Sequence, residues 1–449
     1  MSTPIAAGET AVVLGLGIAG RAAATALARR GITVVAVDDR PTAATQTFAE
    51  DLGCRLITDA DSATFDDLFA SAALFVPSPG IPEHHVAFAA GRKAGVRKVS
   101  EFDIARWYDE RPIAAITGTD GKTSVTMLTV AMLEASGVSA AAVGNTEVPL
   151  VEVIDSPEFD AFVVEASSFR LGHSEQFSPV AAAWLNFSPD HLDVHESLEH
   201  YELAKARIWS DLPAGALAVA PIDDATVRSH LPESDDVDVV IVSKESAPEA
   251  NAFVEGGRLI VDGTDVAPVD ALPRSFDHDI TNTLVAAALA MRLGATPAGI
   301  EEAVRNHELA PHRIQHVTDI DGVGFYNDSK ATVPHAVVTA ISGFDSVVLV
   351  AGGKNKGLDL SEMADASDRV RAVVALGDAA DEVVGAFQGV RPVHRATNMD
   401  DAVQTAATLA EDGDVVLLSP GCASFDQYEN YGARGDDFIR AVRELEVSR

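Results

Sequence analysis

The sequence has few cysteines and few positively charged residues. Its 449 residues include two cysteines, Cys54 and Cys422, which are too few for a disulfide framework. Lysine and arginine together number 33 against 68 aspartates and glutamates, so the formal net charge is −35. A nucleic-acid partner requires clustered cations that contact phosphates, and we therefore expect no such partner. The low cysteine content indicates a reducing compartment and predicts a cytoplasmic protein.

Long apolar runs are also missing. No stretch of about eighteen consecutive apolar residues occurs, so we expect no membrane span. The first residues lack the basic segment followed by an apolar one that marks a secretory signal, which again favours the cytoplasm. We further expect the chain to act as a monomer.

The chain is nevertheless rich in apolar residues, which make up 47% of it. Its length predicts about three domains, because a single core rarely grows beyond roughly 250–300 residues. Apolar, β-rich segments alternate with alanine-rich helical patterns, which predicts an α/β fold with mainly parallel sheets. We expect three such domains, at 1–100, 101–310 and 311–449.

The first glycine-rich turn follows the apolar segment Ala11–Leu14. It reads Gly15-Leu-Gly17-Ile-Ala-Gly20 and precedes a helical pattern, a second apolar segment at Thr33–Val37, and Asp38. This is the dinucleotide-binding pattern in its usual strand, turn and helix context. It predicts a nucleotide-type ligand without specifying which nucleotide.

The second glycine-rich turn is the most informative segment. Residues 117–124 read Thr-Gly-Thr-Asp-Gly-Lys-Thr-Ser directly after the apolar segment Ile113–Ile116. Such a turn directs backbone N–H groups, a lysine and a helix N-terminus at phosphate oxygens, and the following hydroxyl can bind Mg²⁺. The spacing departs from the standard pattern, because Ile116 stands where a glycine is usual and Gly118 lies four residues before the lysine.

Polar residues follow the next apolar segments of the central region. Glu165 ends one segment and Asn186 ends another, and side chains at such strand ends commonly form the sites of α/β sheets. Glu165 could hold Mg²⁺ near the phosphate loop or could cap a helix N-terminus. His191 could be a ligand or a packed histidine, and Lys205 taken alone could be a solvated lysine on a helix.

Lysine is scarce, and its placement is informative. Only eight lysines occur in the sequence. Five of them lie in glycine-, serine- or acid-bearing motifs, which suggests lysine chemistry: Lys122, Lys205, Lys330, Lys354 and Lys356.

Taken together, these motifs resemble those of the Mur ligases of peptidoglycan synthesis. They occur in family order over nearly the whole chain, and the last of them is typical of the D-glutamate-adding members. The motifs are Gly118–Ser124, Glu165–Phe169, Asn186 with Asp190-His191-Leu-Asp193, Lys205, Asp277–Asn282, Pro311–Arg313, Asn327–Thr332 and Leu418–Asp426.

The resemblance implies an ATP-dependent amide ligation. ATP phosphorylates the carboxylate of UDP-N-acetylmuramoyl-L-alanine, the amine of D-glutamate attacks the acyl phosphate, and phosphate leaves. Phosphorylation is needed because a free carboxylate has no adequate leaving group. The resemblance further implies a Rossmann-like first domain that binds the UDP-sugar, a central P-loop-type ATPase domain that binds ATP, and a Rossmann-like last domain that binds the amino acid.

The resemblance also implies residue roles for nucleotide, metal and catalysis. Two Mg²⁺ ions are implied, with Thr123 holding the first, and Glu165 and His191 the second. Lys205 stands where family members carry a carbamylated lysine, which would add an anionic oxygen ligand. The ATP-binding residues would be Gly118, Thr119, Asp120, Gly121, Lys122, Thr123, Ser124, Asn282, Arg313 and Asp328. The catalytic residues would be Lys122, Glu165, His191, Lys205 and Lys330.

The two acceptor substrates would use the outer domains. The resemblance assigns to UDP-N-acetylmuramoyl-L-alanine the residues Gly17, Gly20, Asp38, Arg40, Ser78 and Asn145. It assigns to D-glutamate the residues Lys330, Thr332, Lys356, Ser424 and Tyr431.

Three departures from the family pattern affect this interpretation. Thr146-Glu147 replaces an expected Ile-Gly next to Asn145, Asp279 replaces an expected asparagine, and Tyr431 replaces a frequent phenylalanine. Two other functions also fit parts of the sequence. One is another Mur-type or a folyl-polyglutamate-type ligase, and the other is a dinucleotide-dependent oxidoreductase built on Gly15–Gly20.

Overall fold

The computed structural model describes residues 3–190 and 194–448. It contains three sheets of mainly parallel strands with helices packed against them, which confirms the predicted three-domain α/β architecture. Within the described residues, no helix combines the length and the apolar character that a bilayer crossing requires.

The first sheet has five parallel strands in the order β3-β2-β1-β4-β5. Its central strands β1 and β4 are almost completely buried, because helices cover both faces. The elements are β1 Thr10–Leu14, α1 Ile18–Arg29, β2 Thr33–Val37, α2 Ala43–Leu52, β3 Arg55–Ile57, α3 Ser62–Phe69, β4 Leu74–Pro77, α4 Val86–Ala94 and β5 Arg97–Lys98.

The second sheet has nine strands in the order β14-β13-β12-β11-β10-β9-β6-β8-β7. Every neighbouring pair from β7 across to β12 is parallel. The pairs β12–β13 and β13–β14, at one edge of the sheet, are antiparallel. Its elements are α5 Glu101–Tyr108, β6 Ile113–Thr117, α6 Lys122–Ala135, β7 Ala140–Gly144, α7 Leu150–Val153, β8 Ala161–Glu165, α8 Ser168–His173, β9 Ala181–Trp184, α9 Leu198–Ser210, β10 Leu217–Pro221, α10 Ala225–Ser229, β11 Asp238–Val242, β12 Ala252–Glu255, β13 Arg258–Val261, β14 Thr264–Pro268, α11 Asp277–Arg292 and α12 Pro297–Arg305.

The third sheet has six strands in the order β15-β16-β20-β17-β18-β19, of which only β15 pairs antiparallel. Its elements are β15 Gln315–Ile320, β16 Val323–Asn327, α13 Pro334–Ser342, β17 Val347–Gly352, β18 Val370–Leu376, α14 Ala380–Phe387, β19 Val393–Arg395, α15 Met399–Leu409, β20 Val415–Leu418 and α16 Tyr431–Ser448.

The first two sheets belong to one compact unit, which extends to Ser275 and resumes at Asp279–His307. They share a hydrophobic core, in which Ala23 and Leu27 of α1 are grouped with Phe102 of α5 and Leu150 of α7. The second unit comprises Phe276–His278 and the residues from Glu308 onward. The domain boundaries near residues 100 and 310 stay a prediction.

Candidate active site

The phosphate loop lies between β6 and α6, as the sequence predicts. Gly118 and Gly121 adopt φ values of 155° and 82°, which favour glycine. The Asn186 side-chain oxygen accepts hydrogen bonds from the backbone N–H groups of Thr119 and Asp120, each at 2.9 Å. Asn186 therefore fixes the shape of the loop from the end of the neighbouring strand β9.

Two lysines converge on the same loop carbonyl. Lys122 Nζ donates to the carbonyl oxygens of Gly118 and Thr119, both at 2.8 Å. Lys205 Nζ donates to the Gly118 oxygen at 2.7 Å and lies 4.6 Å from the centre of the Tyr201 ring. Lys205 comes from α9, 87 positions further along the chain. The structure thus joins two ammonium groups that the sequence keeps far apart.

Lys205 is buried, so its interpretation as a solvated surface lysine is wrong. Its side chain is 2% exposed. Burial, and then the charge of Lys122, hold the pKa of Lys205 well below its ordinary value. A lowered pKa favours the neutral amine, which is the form that reacts with carbon dioxide to give a carbamate.

Glu165 is the last residue of β8 and does not cap a helix. The register pairs it with Ile116 of β6, one residue before the strand enters the phosphate loop. Ser167 caps α8 instead, through its bond to the Arg170 N–H. Glu165 is 4% exposed, and one carboxylate oxygen accepts from Asn145 Nδ2 at 3.0 Å.

A buried hydrogen-bond chain continues from Glu165 to the start of α5. Asn145 Oδ1 accepts from Arg170 at 2.9 Å, and Arg170 Nε donates to Glu101 at 3.1 Å. Burial raises the pKa of Glu101, and the Arg170 charge opposes that rise. Asn145, assigned from the sequence to the UDP-sugar, therefore also orients Glu165. Arg170 and Glu101 were missed, because residues 69 positions apart give no local signal.

The proposed metal ligands can be compared with this geometry in part. Thr123 lies in the first turn of α6, and Glu165 lies at the end of β8, in line with the phosphate loop. His191 lies outside the described residues. Within the described residues, no three side chains of histidine, cysteine, aspartate or glutamate form a metal-binding cluster. The proposed ligands still fit Mg²⁺, which prefers oxygen ligands. The second carboxylate oxygen of Glu165, Oε2, accepts no hydrogen bond from a described group and could therefore bind the ion.

Asn282 lies beside the phosphate loop, and Asp279 one turn earlier is in an ion pair. A Cβ added at Gly121 would lie 3.1 Å from Asn282 Oδ1, so the two are in contact range. Arg274 holds both oxygens of Asp279, at 2.6 and 2.7 Å. Asp279 therefore forms an ion pair with Arg274, which an uncharged asparagine at this position could not form.

The first domain places its five predicted residues in or next to one glycine-rich turn. Ser78 Oγ donates to the Gly15 oxygen at 2.6 Å, and a Cβ at Gly20 would lie 1.9 Å from that oxygen. Asp38 accepts from the N–H groups of Leu16 at 2.8 Å and of Arg40 at 2.9 Å. Asp38 thus shapes the glycine-rich turn at Gly17 and anchors the backbone at Arg40.

A further buried chain, which sequence reasoning missed, joins the first and second domains. Ser168 Oγ lies 2.9 Å from His195 Nε2, and His195 Nδ1 lies 2.9 Å from Glu83. Glu83 also accepts from the Glu196 N–H at 3.1 Å. Ser168 and His195 are 2% and 4% exposed. The chain fixes the start of α8, three residues after Glu165.

In the second unit, Asp328 is held at the end of β16. Its carboxylate accepts from Ser419 Oγ at 2.8 Å and from the Ile314 N–H at 3.2 Å. His312 and Ile314 have φ values of 62° and 45°, which are strained for residues other than glycine. Arg313 lies between them, and the hydrogen bond from the Lys330 N–H to the His312 oxygen secures the segment.

The predicted amino-acid residues lie at the edge of the same sheet. Lys330 Nζ is 5.1 Å from the centre of the Tyr431 ring. Ser424 is 2% exposed in the loop after β20, Thr332 is partly buried, and Lys356 is exposed in the loop after β17. Among the described residues, no hydrogen bond joins these five side chains to one another, and their common pocket stays a prediction.

Arg434 supports this region and was not assigned a role from the sequence. It is 1% exposed and donates to Ser329 Oγ at 2.9 Å, to the Ser329 oxygen at 2.8 Å and to the Cys422 oxygen at 3.0 Å. Burial lowers its pKa to about 10. The only sequence signal was its place in the segment after Asp426.

Comparison with family models divides the chain into three matched segments. Residues 9–100 match "Mur ligase MurD-like, N-terminal domain", residues 116–290 match "Mur ligase middle domain", and residues 312–422 match "Mur ligase, glutamate ligase domain".

Individual relatives agree with these matches. A UDP-N-acetylmuramoylalanine–D-glutamate ligase from Frankia casuarinae is 38% identical, over 98% of this chain and 95% of that protein. One of the same name from Salinibacter ruber is 37% identical, over 97% and 98%. A MurF ligase from Thermotoga maritima, solved in complex with ADP, has the same fold, with a TM-score of 0.57, 16% identity, and coverage of 99% and 96%.

Proposed function

The chain belongs to the Mur ligase family, and we propose that it joins D-glutamate to UDP-N-acetylmuramoyl-L-alanine at the expense of ATP. The convergence of Lys122 and Lys205 on the phosphate loop, beside Glu165, carries this proposal. The relatives that match almost the full chain carry that activity in their names. The family assignment also explains the first glycine-rich turn without a redox cofactor.

The first step transfers the γ-phosphoryl group of ATP to the substrate carboxylate. A carboxylate oxygen forms a bond to phosphorus while the bond to the ADP oxygen breaks. Both reactants are anionic, so the Lys122 ammonium and the phosphate-loop N–H groups stabilise charge that would otherwise repel. Bound Mg²⁺, held by Thr123, Glu165, His191 and carbamylated Lys205, would supply further positive charge.

The second step forms the amide. The neutral amine of D-glutamate forms a bond to the acyl carbon, and the bond from that carbon to the phosphate oxygen breaks. The proton lost by the nitrogen leaves with the inorganic phosphate. Lys330, Thr332, Lys356, Ser424 and Tyr431 form the amino-acid site in this proposal. Lysines are suited to it because D-glutamate carries two carboxylates. Arg313, Asp328 and Asn282 complete the ATP site, and Gly17, Gly20, Asp38, Arg40, Ser78 and Asn145 the UDP-sugar site.

An acceptor panel tests the proposal. Phosphate release from ATP should require both UDP-N-acetylmuramoyl-L-alanine and D-glutamate. L-glutamate, L-alanine and a diaminoacid should serve as poor replacements for D-glutamate, and a folate substrate should not replace the UDP-sugar. ATP turnover that is indifferent to D-glutamate would refute the assignment, and preference for another amino acid would move the chain to a different step of the family.

A further inference from the structure

A large cavity lies on the opposite side of α9 from the phosphate loop. Its volume is about 980 Å³, within the range of small-molecule sites. It is lined by parts of α4, β5, α8, α9 and the segment 230–237. Lys205 of α9 donates to Gly118, whereas Leu203 and Arg207 of the same helix line the cavity. None of the residues proposed above for the ligase substrates is among the described lining residues.

Three cations line one part of this cavity: Arg92, Lys98 and Arg207. Lys98 Nζ donates to the Gly172 oxygen at 3.0 Å, and Arg207 donates to the oxygens of Leu171, at 2.9 Å, and Ser174. None of the three forms a direct ion pair with a carboxylate of the described residues. Burial, and then the charge of Arg207, lower the pKa of Lys98. The charges of Glu83 and Asp103 oppose this fall, so the repulsion between Lys98 and Arg207 is only partly offset. An anion bound between the cations would reduce the remaining repulsion.

Four acidic residues also line the cavity, and two of them contact histidines: Glu83, Glu196, Glu233 and Asp236. Glu83 accepts from His195 and from the Glu196 N–H, at 2.9 and 3.1 Å. Glu196 lies 3.6 Å from His200. Glu233 and Asp236 come from the segment after α10, whereas the three cations come from α4, β5 and α9.

A buried histidine at the end of α8 provides a second, independent observation. His173 lines the cavity and is 5% exposed, and neither ring nitrogen has a hydrogen-bond partner among the described groups. It stacks on Phe88 with ring centres 5.3 Å apart. Burial, and then the charge of Lys98, lower the pKa of His173 to about 3, so the ring is neutral at pH 7. A neutral imidazole carries one N–H donor, and leaving it buried without an acceptor is unfavourable.

We propose that the cationic part of this cavity, defined by Arg92, Lys98, His173, Leu203 and Arg207, binds the phosphate group of a small phosphorylated metabolite. Two guanidinium groups, an ammonium and an imidazole N–H match an anion with at least three acceptor oxygens better than they match a carboxylate. The volume leaves room for an organic portion beside the phosphate, and Leu203, 51% exposed, offers it an apolar contact.

Calorimetric titration tests the proposal with two probes, orthophosphate and glucose 6-phosphate. The titrations use the full-length Lys122→Ala protein, so that the phosphate loop contributes little binding. We expect saturable one-to-one binding that weakens at least tenfold in the added double substitution Arg92→Gln/Lys98→Gln. Lys93→Gln is the control for charge removal from α4, because it removes one positive charge next to Arg92 from a lysine that pairs with Asp66 and is not among the described lining residues. It should leave the affinity unchanged.

A second measurement follows the histidine directly. In protein with isotopically labelled histidines, phosphate should shift the His173 imidazole resonances, identified by their loss in His173→Gln. Tighter binding of glucose 6-phosphate than of orthophosphate identifies an organic phosphate as the ligand, and equal affinity identifies the phosphate group alone. Absence of saturable binding, equal binding by the double variant, or equal affinity for succinate would overturn the proposal. Ligase activity is measured separately, so failure here leaves the proposed function untouched.

Discussion

Lys122 is the residue whose removal should separate chemistry from folding. In Lys122→Ala we expect ligase activity to fall about 10²–10³-fold, because a preorganised positive charge at the transferred phosphoryl group is lost. Cooperative thermal unfolding should persist, since the side chain is only partly buried and bonds to its own loop. Phosphate release measured beside a melting curve checks both, with Lys93→Ala as control. Retained activity would remove Lys122 from the mechanism.

Lys205 offers a test of the carbamate. Lys205→Ala should lose activity and regain part of it with formate or acetate, because the vacated space admits a small carboxylate in place of the carbamate. Lys205→Met fills the space and should show no rescue. Steady-state rates with and without added acid compare the two variants. Isotope-labelled bicarbonate should give a carbamate NMR signal only in the protein that keeps Lys205. A missing signal together with no rescue would contradict the modification.

Among the elements, the hydrogen-bond chain that links Glu101 of α5 to Glu165 of β8 predicts a pH-dependent loss of stability. Arg170→Leu leaves the buried Glu101 without its cation, which should cost about 3–5 kcal/mol at pH 7. The pKa of Glu101 is higher in the folded than in the unfolded protein. The ionised carboxylate therefore destabilises the folded state above the unfolded-state pKa, and this free-energy cost grows as the pH rises toward the folded-state pKa. The variant should therefore be less destabilised at pH 5 than at pH 7 in denaturant titrations. Adding Glu101→Gln should restore part of the loss, and equal defects at both pH values would argue against the chain.

The turn after β7 predicts a steric defect. A Cβ at Gly144, where φ is 101°, would lie 2.5 Å from the backbone carbonyl oxygen of Glu165. At Gly137, where φ is 82°, a Cβ would meet nothing within 4 Å. Gly137→Ala should therefore cost only the backbone term of about 1–2 kcal/mol. Gly144→Ala should cost roughly 1–3 kcal/mol more and reduce activity through Asn145 and Glu165. Chemical denaturation of both variants measures the difference, and equal costs would mean that the collision relaxes freely.

The elements themselves were largely predictable from the sequence, and their contacts were not. Apolar segments correctly indicated β1, β2, β6 and β8, because buried parallel strands are continuous runs of such residues. The start of α11 at Asp277 carries no such signal, since the first turn of this helix is polar and gives no apolar period.

The site illustrates the same limit. Lys122 and Glu165 were located by their local motifs, and the family resemblance located Lys205. The bonds that orient them, from Asn186, Arg170 and His195, join residues tens of positions apart. No local pattern encodes such pairs, because they depend on which strands become neighbours.

For the whole molecule, the excess of acidic residues predicts a response to salt. A net charge of −35 destabilises the compact state by self-repulsion, which dissolved ions screen with a Debye length of roughly 10 Å at 0.1 M and 3 Å at 1 M. The melting temperature should therefore rise between 0.1 and 1 M KCl. Sucrose at matched osmolality separates screening from general exclusion effects. A melting temperature that falls with KCl would show that specific surface ion pairs outweigh the repulsion.

The core shared by α1, α5 and α7 has an evolutionary consequence. A fragment cut near residue 100 would separate Ala23 and Leu27 of α1 from Phe102 of α5, with which they share one buried core. The first two domains are therefore not independent folding units. Recombination between relatives would have to transfer both together, or change residues on both sides of the seam in step, for the hybrid to remain folded.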